Sequence, residues 1–159
     1  MVGNSRHWSE FIASLRRRRV KFIIIGAHAL AVLGCPRQTG DLDVLVQPSP
    51  QNAARLAQAF RDFDFDEAAD KAGAFAGPAP AMMMLGVSPV RIDVTNSISG
   101  VSFPEAWKGR KKHRIGKKRI PFLGRREFVK NKRASAKRPS RRGKDLADLA
   151  MLGEKEEND

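Results

Sequence analysis

KFIIIGAHALAVLGCPRQTGDLDVLV, residues 21–46, sets two short strands around one helix, and its reading decides the fold. Phe22 to Ile25 form an apolar run that predicts a buried strand, and Gly26 supplies a turn. Ala27 to Leu33 predict a short apolar helix. Gly34 closes it, and Pro36, which lacks an amide hydrogen and clashes with the preceding turn, bars its continuation. Beyond it, side chains on a strand alternate between faces, so Asp41 and Asp43 share one face while Leu42, Val44 and Val46 point into the core. Two carboxylates about 4 Å apart at an effective dielectric of about 20 repel by roughly 4 kcal/mol. A divalent cation held by hard oxygen ligands would relieve that repulsion.

Gly26-Ala27, thirteen intervening residues and Asp41-Leu42-Asp43 resemble the signature of the polymerase-β-type minimal nucleotidyltransferases. Arg37-Gln38-Thr39-Gly40-Asp41 is similar to the Arg-x-Thr-x-Asp-x-Asp form of the small bacterial members of toxin-antitoxin and abortive-infection type. Further likenesses follow in order at Pro89-Val90-Arg91-Ile92-Asp93, Ser99-Gly100-Val101-Ser102-Phe103, Asn131-Lys132-Arg133-Ala134 and Lys144-Asp145-Leu146-Ala147-Asp148-Leu149, so the resemblance runs from about Phe11 to Leu152. It implies an α/β fold, a small mixed β-sheet flanked by helices like the polymerase-β palm. It also implies magnesium-dependent transfer of a nucleoside monophosphate from a nucleoside triphosphate to a hydroxyl.

By that resemblance Asp41, Asp43 and Asp93 are catalytic metal ligands, and three carboxylates can hold two magnesium ions. Asp93 pairing with Arg91 is the competing structural reading. Gly26, Ala27, Arg37, Thr39 and Lys132 would position the nucleotide. Gly26 can also be read as a tight turn alone, and Ala27 departs from the serine or glycine usual in relatives, which removes a hydroxyl contact but leaves the backbone amide. Lys132 is the lysine implied to approach the triphosphate, and Asp145 is either catalytic or a helix cap. The acceptor implied is RNA resembling transfer RNA. The alternatives are a protein side chain, as in AMPylation-type enzymes, or RNA binding on a degenerate transferase fold. A cognate antitoxin or toxin protein is a further partner the resemblance allows.

With 159 residues, 42% of them hydrophobic, the chain has the size of one domain, residues 1–153, followed by an acidic tail at 154–159. A formal charge of +13 points to a polyanionic partner, and favours nucleic acid over a membrane. The lone cysteine, Cys35, excludes an internal disulfide and fits a reducing, cytoplasmic setting. Arg16 to Arg19, the apolar run and Cys35 imitate a lipoprotein signal, but Gly26 and His28 interrupt the run, and it is too short to span a bilayer.

Along the chain, Trp8, Phe11, Ile12 and Leu15 predict an amphipathic helix capped by Ser5 or Ser9 and ending at the arginine cluster. His28 reads as a satisfied core or rim histidine rather than a ligand. Ser49 and Pro50 predict the cap and first position of a helix reaching Asp62, with Ala53, Ala54, Leu56, Ala57 and Phe60 inward. Residues 63–67 read as a loop, 73–80 as a mobile loop near the active-site mouth, and Met82 to Val87 as a strand whose methionines fill the core. Val90, Ile92 and Val94 alternate with Arg91, Asp93 and Thr95 as a strand. Residues 96–107 read as a loop.

The densely basic segment 108–123 predicts a hairpin turning at Gly116, and Arg110, Lys111, Lys112, Arg114, Lys117 and Lys118 predict a track for a nucleic-acid backbone. C-terminal helices are expected within 125–152. Lys137 to Lys144 reads as an insertion, with Arg138, Arg141 and Arg142 competing for one nucleic-acid or substrate role. Leu146, Leu149 and Leu152 face inward, Asp145 and Asp148 sit near the last helix's start, and the tail frays.

Overall fold

A computed structural model describes residues 6–157. Ser5, one of the two expected caps, lies outside them, as do the last two tail residues, Asn158 and Asp159. The other expected cap, Ser9, lies inside the first helix, α1 (Arg6–Arg17), which buries Trp8, Phe11, Ile12 and Leu15 as their spacing predicts.

Next come β1 (Phe22–Ile25), α2 (Gly26–Val32) and β2 (Asp41–Val46). Gly34, at φ +101°, closes α2. The amides of Gly34 and Cys35 reach the carbonyls of Ala31 and Leu30, which satisfies two orphan acceptors at the helix end. The segment that imitates a signal peptide is therefore core strand and helix. Among the described residues, no helix is long and apolar enough to cross a membrane.

Ser49 accepts the amide of Asn52 and Pro50 opens α3 (Pro50–Asp62), as expected. Its inward stripe differs, because Asn52 and Ala59 are buried and Ala54 is exposed. α4 (Asp66–Lys71) begins inside the stretch read as a loop, with Asp66 and Glu67 in the first turn where acid complements the helix dipole. A 3-10 turn, Ala72–Phe75, then sinks Phe75 fully into the core. Asn96 anchors the carbonyls of Gly77 and Ala79 at 3.1 and 3.0 Å, so the segment 73–80 is pinned rather than free.

β3 (Met82–Leu85) and β4 (Arg91–Thr95) follow. β3 is an edge strand, so Met82 and Met84 are 60% and 63% exposed instead of filling the core. α5 (Phe103–Lys108) occupies the end of the expected loop, capped by Ser102, which accepts the amide of Glu105 at 3.2 Å. β5 (Lys111–Ile115) and β6 (Lys118–Phe122) make the expected hairpin. α6 (Arg125–Ser135) and α7 (Pro139–Met151) complete the chain.

The six strands form one mixed sheet in the order β3-β4-β2-β1-β6-β5. β2 runs parallel to β4 and antiparallel to β1, while β1 runs parallel to β6. Leu42, Val44, Ile92 and Val94 are fully buried on one face of β2 and β4. The same alternation puts Asp41, Asp43, Arg91 and Asp93 on the opposite face.

Candidate functional site

Register brings the carboxylates together. Asp43 pairs with Asp93 and Asp41 with Arg91 across the parallel β2–β4 ladder, so residues fifty apart in sequence stand side by side. Ligand oxygens of Asp41, Asp43 and Asp93 lie within 4.8 Å of one another. Hard oxygen donors from three carboxylates suit magnesium or manganese better than softer metals. The donor set fits the expected cation.

Gly26, at φ +69°, opens α2 directly against this cluster. A Cβ there would collide with the Asp43 carboxylate, with Cγ 3.0 Å away. Glycine is thus required both by backbone conformation and by the space Asp43 occupies. Gly26→Ala is expected to cost about 1–2 kcal/mol in backbone strain and to weaken manganese binding by displacing Asp43. Urea denaturation and Mn2+ titration read the two effects separately.

The three carboxyls differ electrostatically. Burial pushes Asp43 up to about 7, reinforced by the charges of Asp41 and Asp93. Asp93 is also raised, chiefly by burial, against the opposing pull of Arg91. Burial acts on Asp41 in the same sense but is outweighed by hydrogen bonds from Thr39 and Arg91, which hold it below the usual carboxylate range. Thr39 Oγ1 donates to Asp41 Oδ1 at 2.7 Å. Thr39, expected at the nucleotide, therefore orients a carboxylate.

Arg91 joins the cluster. Its Nη2 lies 2.7 Å from Asp41 Oδ2 and 3.1 Å from Asp93 Oδ2, and its Nε lies 3.0 Å from Asp93 Oδ1. The pairing of Asp93 with Arg91 and its place in the carboxylate cluster, posed as rival readings, occur together. Arg91 acts as a resident counter-cation, and a metal must compete with it. Arg91→Gln is expected to tighten Mn2+ binding about tenfold, equivalent to ~1.4 kcal/mol, by isothermal titration. Weaker binding would mean that Arg91 instead props the carboxylates in place.

A cavity of about 490 Å³ opens on this face, lined by Gly26, Asp43 and Asp93 from the sheet and α2 and by Asn131, Lys132, Arg138 and Arg141 from α6 and the start of α7. Lys132 is buried, its Nζ 3.4 Å from both Asp145 Oδ1 and Asp148 Oδ2. Arg141 reaches Asp145 at 3.5 Å, and Arg37 Nε approaches Asp148 Oδ1 at 3.2 Å. Five charges thus form one chain, Arg37–Asp148–Lys132–Asp145–Arg141, of which Lys132 and Arg141 line the cavity. Asp145 is fully buried in the second turn of α7, so it does not cap that helix. Of Lys137 to Lys144, read as an insertion, residues 139–144 are that helix's opening turns. Asp148, expected near the last helix's start, stands instead in its third turn, where it links Arg37 and Lys132.

Arg37 and Thr39 line a separate depression of about 750 Å³ with Trp8, Gln38 and Gly40. Ala27 is buried and offers that surface no side chain. His28 is buried as expected, edge-on to Trp8 at 4.8 Å, but its Nε2 has no hydrogen-bond partner among the described residues. Burial lowers its pKa to about 4, so the ring stays neutral.

The basic residues do not converge. Arg138 and Arg141 reach the cavity, whereas Arg142 forks onto Glu156, its Nη2 2.9 Å from Oε2. Arg110 stacks 4.0 Å from the Trp107 ring centroid. Lys111, Lys112, Arg114, Lys117 and Lys118 are exposed on the β5–β6 hairpin at the edge of the sheet. Since β6 runs parallel to β1 with Phe122 beside Ile24, the hairpin turn lies at the end of the sheet away from Asp43. Basic side chains on β5 also guard an open strand edge against pairing with other chains.

No family profile and no curated protein matches the sequence. The fold, however, is similar to the crystal structure of a candidate nucleotidyltransferase from Thermotoga maritima, with a TM-score of 0.56 over 93% of this chain and 91% of that one. The fold is that of a nucleotidyltransferase. At 13% identity the likeness carries the fold alone.

Proposed function

We propose that the protein is a magnesium-dependent nucleotidyltransferase that moves a nucleoside monophosphate from a nucleoside triphosphate to a hydroxyl, with RNA as acceptor. The observation that carries this reading is the convergence of Asp41, Asp43 and Asp93 within 4.8 Å, with Asp43 and Asp93 lining a cavity that Lys132, Arg138 and Arg141 also line. Magnesium held by these three carboxylates would offset triphosphate charge and orient the reacting oxygens. Lys132, Arg138 and Arg141 supply positive charge facing the carboxylates, where a triphosphate would be neutralised from the second side. Asp145 and Asp148 fix the Lys132 ammonium, and Thr39 fixes Asp41. The acceptor oxygen attacks the α-phosphorus, the bond to pyrophosphate breaks, and the hydroxyl proton passes to a carboxylate of the cluster.

The net charge of +13 supports RNA over a protein side chain as acceptor. A cognate toxin or antitoxin partner belongs to the same reading and rests on the sequence motifs. One contrary observation favours a second reading, an RNA-binding module that has lost catalysis: the Arg91 guanidinium bridges Asp41 and Asp93. Incubation with each α-labelled nucleoside triphosphate, magnesium and total RNA separates the two. Label retained on RNA by the wild type and lost with Asp43→Asn supports transfer, and label on protein moves the acceptor to a side chain. RNA binding with no label anywhere supports the module.

A further inference from the structure

α7 ends with Gly153 at φ +73°, and the amides of Gly153 and Glu154 bond back to the carbonyls of Ala150 and Leu149. That closure aims the acidic segment 154–157 across the outer face of α6. The segment expected to fray is held instead. Glu154 bridges Arg125 and Arg133, at 3.6 and 3.7 Å, and Arg133 Nε donates to the Lys155 carbonyl at 3.0 Å. Glu156 takes the guanidinium fork of Arg142.

Beside the segment runs a groove of about 970 Å³ lined by Arg125, Arg126, Lys130, Arg133 and Lys137 together with the tail's own Glu154, Glu156 and Glu157. Positions 126, 130, 133 and 137 follow helical spacing, so α6 and Lys137, two residues past its end, present one basic stripe. Balancing acid comes from Glu105, on Lys130 at 2.7 Å, and from the tail. None of these α6 residues enters the carboxylate cavity, yet the two sites share a wall. Asn131 Nδ2 donates to the Ser99 carbonyl at 2.9 Å, and both residues line the cavity. Gly100, where a Cβ would lie 2.6 Å from that of Ala134, lines the groove with Ala134 on the other side. The groove and the cavity are thus neighbours across the Ser99-Gly100 segment and α6.

We propose that the basic face of α6 seats a single-stranded polynucleotide by its phosphates, and that residues 154–157 occupy the seat as a phosphate mimic until the strand displaces them. Glu154 between Arg125 and Arg133, and Glu156 on the guanidinium fork of Arg142 beside them, mark where phosphate oxygens bind, since carboxylate and phosphate oxygens both accept paired N–H bonds from a guanidinium. Exposed pairs of this kind are individually weak, so a polyanion that engages several arginines at once and releases its counterions can replace them. The groove was hidden in sequence because Arg125, Arg126 and Lys130 are interspersed with the buried residues of α6.

Fluorescence anisotropy with a labelled single-stranded oligoribonucleotide, without metal or nucleoside triphosphate, tests the proposal independently of transfer. A null result here leaves the label-transfer experiment to judge the catalytic reading on its own. E154Q/E156Q/E157Q is expected to bind about tenfold more tightly at moderate salt, and R125Q/R133Q about tenfold more weakly. The latter should also lower the slope of log K against log salt by roughly 0.7 for each charge removed. K111Q/K112Q/K118Q, on the distant hairpin, should change binding less than R125Q/R133Q. An unchanged slope in R125Q/R133Q, no gain in the tail variant, or poly-glutamate binding as tightly as RNA overturns the assignment.

Discussion

Asp43→Asn is expected to lower the proposed nucleotide transfer about a thousandfold and to stabilise the metal-free protein above pH 7. The loss of rate follows from losing a metal ligand, since the several kcal/mol of charge stabilisation supplied by the ion is of that order. The gain in stability follows from the carboxyl being held up at about 7 against its ordinary 3.8. A raised carboxyl binds its proton more tightly when folded, so its contribution is complete below about pH 4 and is lost as pH rises through about 7. The ceiling on that loss is on the order of 4 kcal/mol. Asparagine removes the titration, so urea-unfolding stability of the variant should exceed that of the wild type at pH 8 by a few kcal/mol and differ little at pH 4. Magnesium should narrow the gap at pH 8 by stabilising only the wild type.

Lys132→Met is expected to destabilise the fold by about 3–5 kcal/mol, as removing one partner from a buried ion pair does. Asp145 and Asp148 are then left buried, with Asp145 retaining Arg141 and Asp148 retaining Arg37. The double variant Lys132→Met/Asp145→Asn should recover much of that stability, because one stranded charge is gone. Its transfer activity should not recover, because no ammonium faces the carboxylates across the cavity. Urea midpoints with a single-turnover assay on both variants check this. Activity restored along with stability would make Lys132 a structural residue only.

The strand-helix-strand unit around Gly26 was legible because alternation and helical spacing are local, and Gly34 and Pro36 punctuate them. The place of Asp93 was legible through likeness of motif rather than from periodicity, and the Asp43–Asp93 register bears the placement out. Arg91 at the cluster was within reach of the same rule, since a residue two before Asp93 shares its face. The helix α5 also had its signal in Ser102-Phe103-Pro104-Glu105, where a capping serine stands three residues before a glutamate. Pro139 at the first turn of α7 similarly marks the helix start that places Asp145 inside rather than at its end. What local pattern does not encode is strand order. Only the sheet topology exposes Met82 and Met84 on an edge and sends the hairpin turn away from the carboxylates. The ion chain from Arg37 to Arg141 likewise joins residues about a hundred positions apart, beyond any local pattern.

Anomalous diffraction from crystals grown with Mn2+ is the most direct measurement of whether the acidic triad is a metal centre. The predicted result is a peak bonded to Asp41, Asp43 and Asp93 at oxygen-ligand distances, with the Arg91 guanidinium moved off Asp41 and Asp93. Arg91 still bridging those two carboxylates, with no peak between the three, would contradict it.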